Sequence, residues 1–109
     1  MNPNLTKMFK ALSNPNRLKL FCEIAQASAD NAFNSKENSC LVNTIMGKLN
    51  IGAPTISHHL KELVQAELIT TERRGKFLTC AVNIKSIETL REFFGDIFKH
   101  NDTSTSSTT

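Results

Sequence analysis

Leu49-Asn50-Ile51-Gly52-Ala53-Pro54-Thr55-Ile56-Ser57-His58-His59-Leu60-Lys61-Glu62-Leu63 joins the end of one helical pattern to the whole of another. Upstream of the break, Leu41, Val42, Ile45, Met46 and Leu49 recur at helical spacing, and Asn50-Ile51-Gly52 makes the turn that ends them. Downstream, a helix starting near Ala53-Pro54 is predicted to bury Ile56, Leu60, Leu63 and Val64, the i, i+4, i+7, i+8 series. Its opposite face carries Thr55, Ser57, His58 and Lys61. Two short helices about a tight turn, the second presenting small polar side chains and a basic one, describe a helix-turn-helix. In that motif the second helix enters the major groove of duplex DNA and reads base edges near its amino terminus. The same end directs backbone N–H groups and the positive pole of the helix dipole toward phosphates.

Working outward, the segments Leu68 to Arg73 and Phe77 to Asn83 are rich in β-formers and flank Arg74-Gly75-Lys76, where Gly75 supplies the positive φ of a tight hairpin. This is a wing with a basic tip. Ile84, Ile87, Leu90, Phe94, Ile97 and Phe98 return to helical spacing and predict a last helix reaching about Lys99. Toward the amino terminus, Leu5, Met8, Phe9 and Leu12 mark a short first helix. Asn14 caps and Pro15 opens a second, expected to run to Ala27 with Leu18, Phe21, Cys22 and Ala25 inward. Ser28 to Ser39, rich in Asn, Ser and Asp, reads as a long loop with a turn around Ala32-Phe33. The expected fold is mainly α with a β-hairpin wing, an α+β arrangement in the order α-α-α-α-β-β-α. Residues 1–100 form one winged-helix domain, and 101–109, almost all Ser, Thr and Asn, a disordered polar tail.

A chain of 109 residues has room for one such domain. At this size, burial against a second copy adds much to a marginal core, so dimerisation is expected. The net charge of +3 is mild, but Lys7, Lys10, Arg17 and Lys19 fall among the first twenty residues without an acid, and Arg73, Arg74 and Lys76 cluster. Two local basic patches fit a polyanionic partner. No apolar run approaches the roughly 18 residues of a membrane span, and the amino terminus has no signal-peptide core, so a cytoplasmic protein is expected. Three widely spaced cysteines, with no Cys-x-x-Cys, give neither a disulfide scaffold nor a cysteine zinc site. With no glycine-rich phosphate loop, carboxylate pair or activated nucleophile in view, an enzyme is not expected.

Around Thr55-Ile56-Ser57-His58-His59-Leu60, and again at Ala11-Leu12-Ser13-Asn14-Pro15-Asn16-Arg17-Leu18, the chain resembles the ArsR/SmtB family of winged-helix repressors. The resemblance spans about residues 5–98 and implies a homodimer built from the first and fifth helices. It also brings metal sites to check. The arsenic-type Cys-x-Cys aligns with Leu41 and Asn43, leaving Cys40 out of register, and the zinc-type site along the fifth helix finds no histidine between Ile84 and Lys99. The dithiol sensors of the family need a fifth-helix cysteine, which is also missing. No metal or cofactor is therefore expected, and the inducer is unknown.

The function expected is sequence-specific binding of a palindromic operator in duplex DNA by a homodimeric repressor. Thr55, Ser57 and His58 would supply selectivity, and Lys61, Arg73, Arg74 and Lys76 affinity. His58 and His59 point about 100° apart and do not share a metal ion easily, so His59 reads as a half-buried packing residue. Cys22 and Cys80 read as small core residues, while Cys40, at an expected helix amino terminus that favours thiolate, opens an alternative as a thiol- or metal-responsive sensor. A further alternative is a winged-helix adaptor that binds protein through the exposed helix.

Overall fold

A computed structural model describes residues 2–34 and 40–100. Five helices and three strands follow in order: α1 (Leu5–Leu12), α2 (Pro15–Asn34), β1 (Cys40–Leu41), α3 (Val42–Leu49), α4 (Ala53–Gln65), β2 (Ile69–Arg74), β3 (Phe77–Val82) and α5 (Ile84–His100). The expected tail, 101–109, lies outside the described residues.

Helix α1 buries Leu5, Met8 and Ala11, and Asn4 Nδ2 donates to the Ala66 carbonyl at 2.9 Å, fastening this helix to the end of α4. At the next start Asn14 Oδ1 accepts from the Arg17 N–H at 3.0 Å, the capping bond expected of it, with Pro15 in the first helical position. Two readings of α2 are corrected. The helix runs on to Asn34, so Ser28–Asn34, including the turn expected at Ala32-Phe33, is helical; only 35–39 of the expected loop lie outside the described residues. Its inner face also differs: Leu20 and Ile24 are buried, whereas Leu18 and Cys22 are exposed. Both sets have helical spacing, and contacts of α2 with β3, α1, α3 and α4 select the face about a third of a turn away.

A short strand that the sequence reading lacks, β1, pairs antiparallel with β3, giving a sheet in the order β1-β3-β2. Leu41 therefore belongs to a strand rather than to α3, and Cys40 sits in that strand rather than at a helix amino terminus, because pairing with β3 requires extended backbone. The wing register runs from Ile69↔Val82 to Arg74↔Phe77, and Gly75 takes the first loop position with φ 63°. That is the place and sign a type II′ turn asks of glycine.

Helix α4 ends in a Schellman turn. The Leu68 N–H donates to Leu63 O at 3.0 Å and the Glu67 N–H to Val64 O at 2.9 Å, with Leu63 and Leu68 both fully buried beneath them. Glu67 takes the left-handed position, φ 62°, and its carbonyl accepts from Ser86 Oγ of α5. The core gathers Met8, Leu20, Ile24, Ile45, Ile56, Leu63, Leu68 and Ile69 from the helices and the sheet. Helix α5 keeps an uncovered apolar stripe, with Ile84, Phe94, Ile97 and Phe98 exposed and Phe9 of α1 meeting Phe93 and Phe94 edge to face at 5.7 and 6.0 Å.

Candidate nucleic-acid interface

The turn between α3 and α4 is built from Asn50, which adopts φ 54° and donates its N–H to Met46 O at 3.0 Å, and from extended Gly52 at the start of α4. Asparagine tolerates the left-handed region better than most side-chain-bearing residues, so the break needs no second glycine. No side chain caps α4, and Pro54 occupies its first turn. That leaves an exposed amino end of the kind that attracts anions.

Around α4 the inner side is Ile56, His59, Leu60 and Leu63. Val64, expected inside, is exposed, because it lies about a quarter turn from the centre of that face. Thr55, Ser57, His58 and Lys61 are all exposed, as expected. Helical rotation divides them: His58 and Lys61 lie opposite the core, while Thr55 and Ser57 stand on the two flanks. Gln65, also exposed, shares the central outer position with His58 and Lys61. Sequence reading passed over it, although its spacing of seven from His58 and four from Lys61 is the signal that places it there.

His59 is 5% exposed, and its Nδ1 has no hydrogen-bond partner among the described residues. It is more deeply buried than the half-buried position expected. Burial, then the positive charges of Arg17 and of His58, lower its pKa below the ordinary histidine value. It therefore stays neutral where an exposed imidazole begins to protonate. The two neighbouring rings lie 5.9 Å apart and tilted, the inner one packing and the outer one free to meet a ligand. Among the described residues no three His, Cys, Asp or Glu side chains come together to hold a metal ion.

On the wing, Arg73 and Lys76 are exposed, and Arg74 closes β2 opposite Phe77. Wing and α4 are thus separate elements fixed to one core, with β2 following α4 after the Schellman turn. Cys80 is buried, as expected; Cys22 is exposed and is no core residue. Cys40 and Cys80 are direct register partners across β1 and β3, a juxtaposition that arises only when the sheet forms.

Comparison with known proteins gives concordant likenesses. The family model described as "Bacterial regulatory protein, arsR family" matches residues 35–71. The transcriptional repressor SdpR of Bacillus subtilis is 33% identical over 79 residues, covering 72% of this chain and 76% of that protein. Among solved structures, the crystal structure of an ArsR family transcriptional regulator superposes with a TM-score of 0.73 at 17% identity, over 96% of this chain and 98% of that one. The repressor BigR from Xylella fastidiosa gives 0.59 at 23% identity, over 86% and 85%. A homodimeric winged helix-turn-helix DNA-binding domain from Mycobacterium bovis gives 0.61 at 19% identity, over 94% and 88%. These structural likenesses are likenesses of fold.

Proposed function

The chain belongs to the arsR family of bacterial regulatory proteins, and from that premise we propose that it is a repressor that binds duplex DNA as a homodimer. The observation that carries this reading is the outer face of α4, where His58, Lys61 and Gln65 stand exposed directly opposite a face sealed into the core. A helix so held is a rigid reading head, and major-groove recognition needs that rigidity because base edges are distinguished by hydrogen-bond geometry. His58 and Gln65 read base edges, Thr55 and Ser57 meet the groove walls, and Lys61 with the wing residues Arg73, Arg74 and Lys76 holds phosphates. The uncovered stripe of α5 and Phe9 of α1 receive the second copy, so the operator is an imperfect palindrome with half-sites about one DNA turn apart. No helix among the described residues is long and apolar enough to cross a membrane, and a duplex-DNA ligand puts the protein to work in the cytoplasm, without catalysis.

The test is binding to a labelled duplex from upstream of the protein's own gene against a scrambled duplex, at low and near-physiological salt. Selective binding that weakens steeply with salt is expected. His58→Ala should reduce the preference for the operator a few-fold, by ~1 kcal/mol, while leaving scrambled-duplex affinity in place. Salt-independent binding to a protein partner, with no affinity for either duplex, would favour the adaptor reading instead.

A second reading concerns control, and the register of Cys40 with Cys80 favours it. Directly opposed residues of an antiparallel pair have Cα atoms roughly 4.5–5.5 Å apart, within the span a disulfide bridges. A peroxide would oxidise one thiol to a sulfenic acid, releasing water, and the other thiol would displace a second water to close the bond. Peroxide treatment followed by non-reducing peptide mapping tests it: a Cys40–Cys80 peptide is expected, and oxidation confined to Cys22 would refute it.

A further inference from the structure

Where α1 turns into α2, an open groove of about 970 Å³ runs alongside the recognition helix. Its lining joins Lys7 and Lys10 of α1 and Arg17 of α2 to His58, Glu62 and Gln65 of α4. Three basic side chains, Lys7, Lys10 and Arg17, face a single acid, Glu62, there. We infer that this corner is a further phosphate-binding surface, which grips the sugar-phosphate backbone flanking the groove that α4 enters. The inference rests on the DNA-binding reading and extends the contact surface to two helices outside the helix-turn-helix and the wing.

Three observations carry it. First, the groove shares His58 and Gln65 with the outer face of α4, so a strand passing along that edge of the recognition helix lies against the α1–α2 corner. Second, no acid neutralises these cations among the described residues. Lys7 and Lys10 are exposed on α1, three residues apart on one side, and among the described residues neither they nor Arg17 form an ion pair. Third, Arg17 is positioned in advance. Its Nη1 donates to the Ala11 carbonyl at 3.1 Å, its backbone N–H is held by the Asn14 cap, and the side chain is half-buried. An arginine anchored through one nitrogen loses less freedom when its remaining donors meet an anion. The Asn4 bond to Ala66 holds α1 against the end of α4, which keeps the two walls of the groove in register with each other.

A solvated pair of lysines would make no difference to DNA affinity beyond a weak general attraction, so counterion release separates the two cases. Each phosphate neutralised on B-DNA contributes about 0.9 to the slope of log K against log salt. The experiment compares the full-length parent with the Lys7→Gln/Lys10→Gln double variant on the duplex from upstream of its own gene and on a scrambled duplex, over a salt series. Both substitutions lie on exposed positions, and an unchanged melting temperature confirms that the fold is kept. The expected result is a slope smaller by about 3.6, since the dimer carries four of these lysines, with affinity near physiological salt reduced by more than about tenfold on both duplexes and the ratio between them unchanged. A parent that binds, with a variant of identical slope, overturns this inference alone. A parent that binds neither duplex overturns the DNA-binding reading and this inference with it.

Discussion

His58 and His59 are adjacent in the chain and about 100° apart around α4, and that rotation gives them different chemistry. His58 meets solvent; His59 is enclosed with its Nδ1 unpartnered among the described residues, near the Arg17 guanidinium. Burial and the two neighbouring positive charges set its folded-state pKa below the 6.5 of the unfolded chain. The unfolded state then binds the proton more readily, so the stability that His59 contributes is complete above pH 6.5 and is lost as pH falls from there toward the folded value. Thermal melts should show a melting temperature that declines as pH falls below 6.5, and His59→Leu should flatten that decline. An equally steep decline in the variant would place the pH sensitivity elsewhere. Because the same ring belongs to the inner face by which α4 is held on the core, protonating it loosens the support of His58 as well.

At the scale of elements, helix α2 is the informative case. With Leu20 and Ile24 inside and Cys22 outside, Ile24→Ala should cost about 2–5 kcal/mol in denaturant unfolding. Cys22→Ser should change stability by less than about 0.5 kcal/mol. The reverse ranking would restore the face first read from the sequence. Of the expected face Phe21 does pack on the core, while Leu18 and Cys22 do not; Leu18, Phe21, Cys22 and Ala25 satisfy helical periodicity as well as Leu20 and Ile24 do. The tie is broken by contacts with β3 and α4, which periodicity does not contain. Ser28–Asn34 reads as a loop because Ser28, Asp30, Asn31 and Asn34 leave no sustained apolar period, although nothing in it forbids helix. β1 was invisible, being two residues long and defined by a partner forty positions away. By contrast α1, α4 and the hairpin were legible, since each combines a residue pattern with a chemically specific boundary, Asn14-Pro15, Gly52 and Gly75, and α5 was legible from the length of its apolar period. Most of the candidate interface was legible for the same reason. Gln65 lies in the last turn of α4, away from the amino end where the helix-turn-helix pattern points, and the α1–α2 corner shows in the sequence only as charge, since its closeness to α4 is a tertiary fact.

For the molecule as a whole, the uncovered stripe on α5 is the largest feature that a single copy leaves unfinished. Phe98 is 72% exposed, and Phe94, Ile97 and Ile84 extend the same strip. Water-exposed apolar area of this kind is costly in a small domain and supports the second copy proposed above. Phe98→Asp should shift the sedimentation coefficient from dimer to monomer, lower the melting temperature and remove its dependence on protein concentration. A variant that sediments as the parent does would exclude this strip as the contact. An uncovered α5 also bears on quantity. If one operator takes two copies that are separate when dilute, its occupancy grows with the square of chain abundance rather than in proportion to it. Halving synthesis would then cut that occupancy about fourfold, and the exposed phenylalanines would set the abundance at which silence begins.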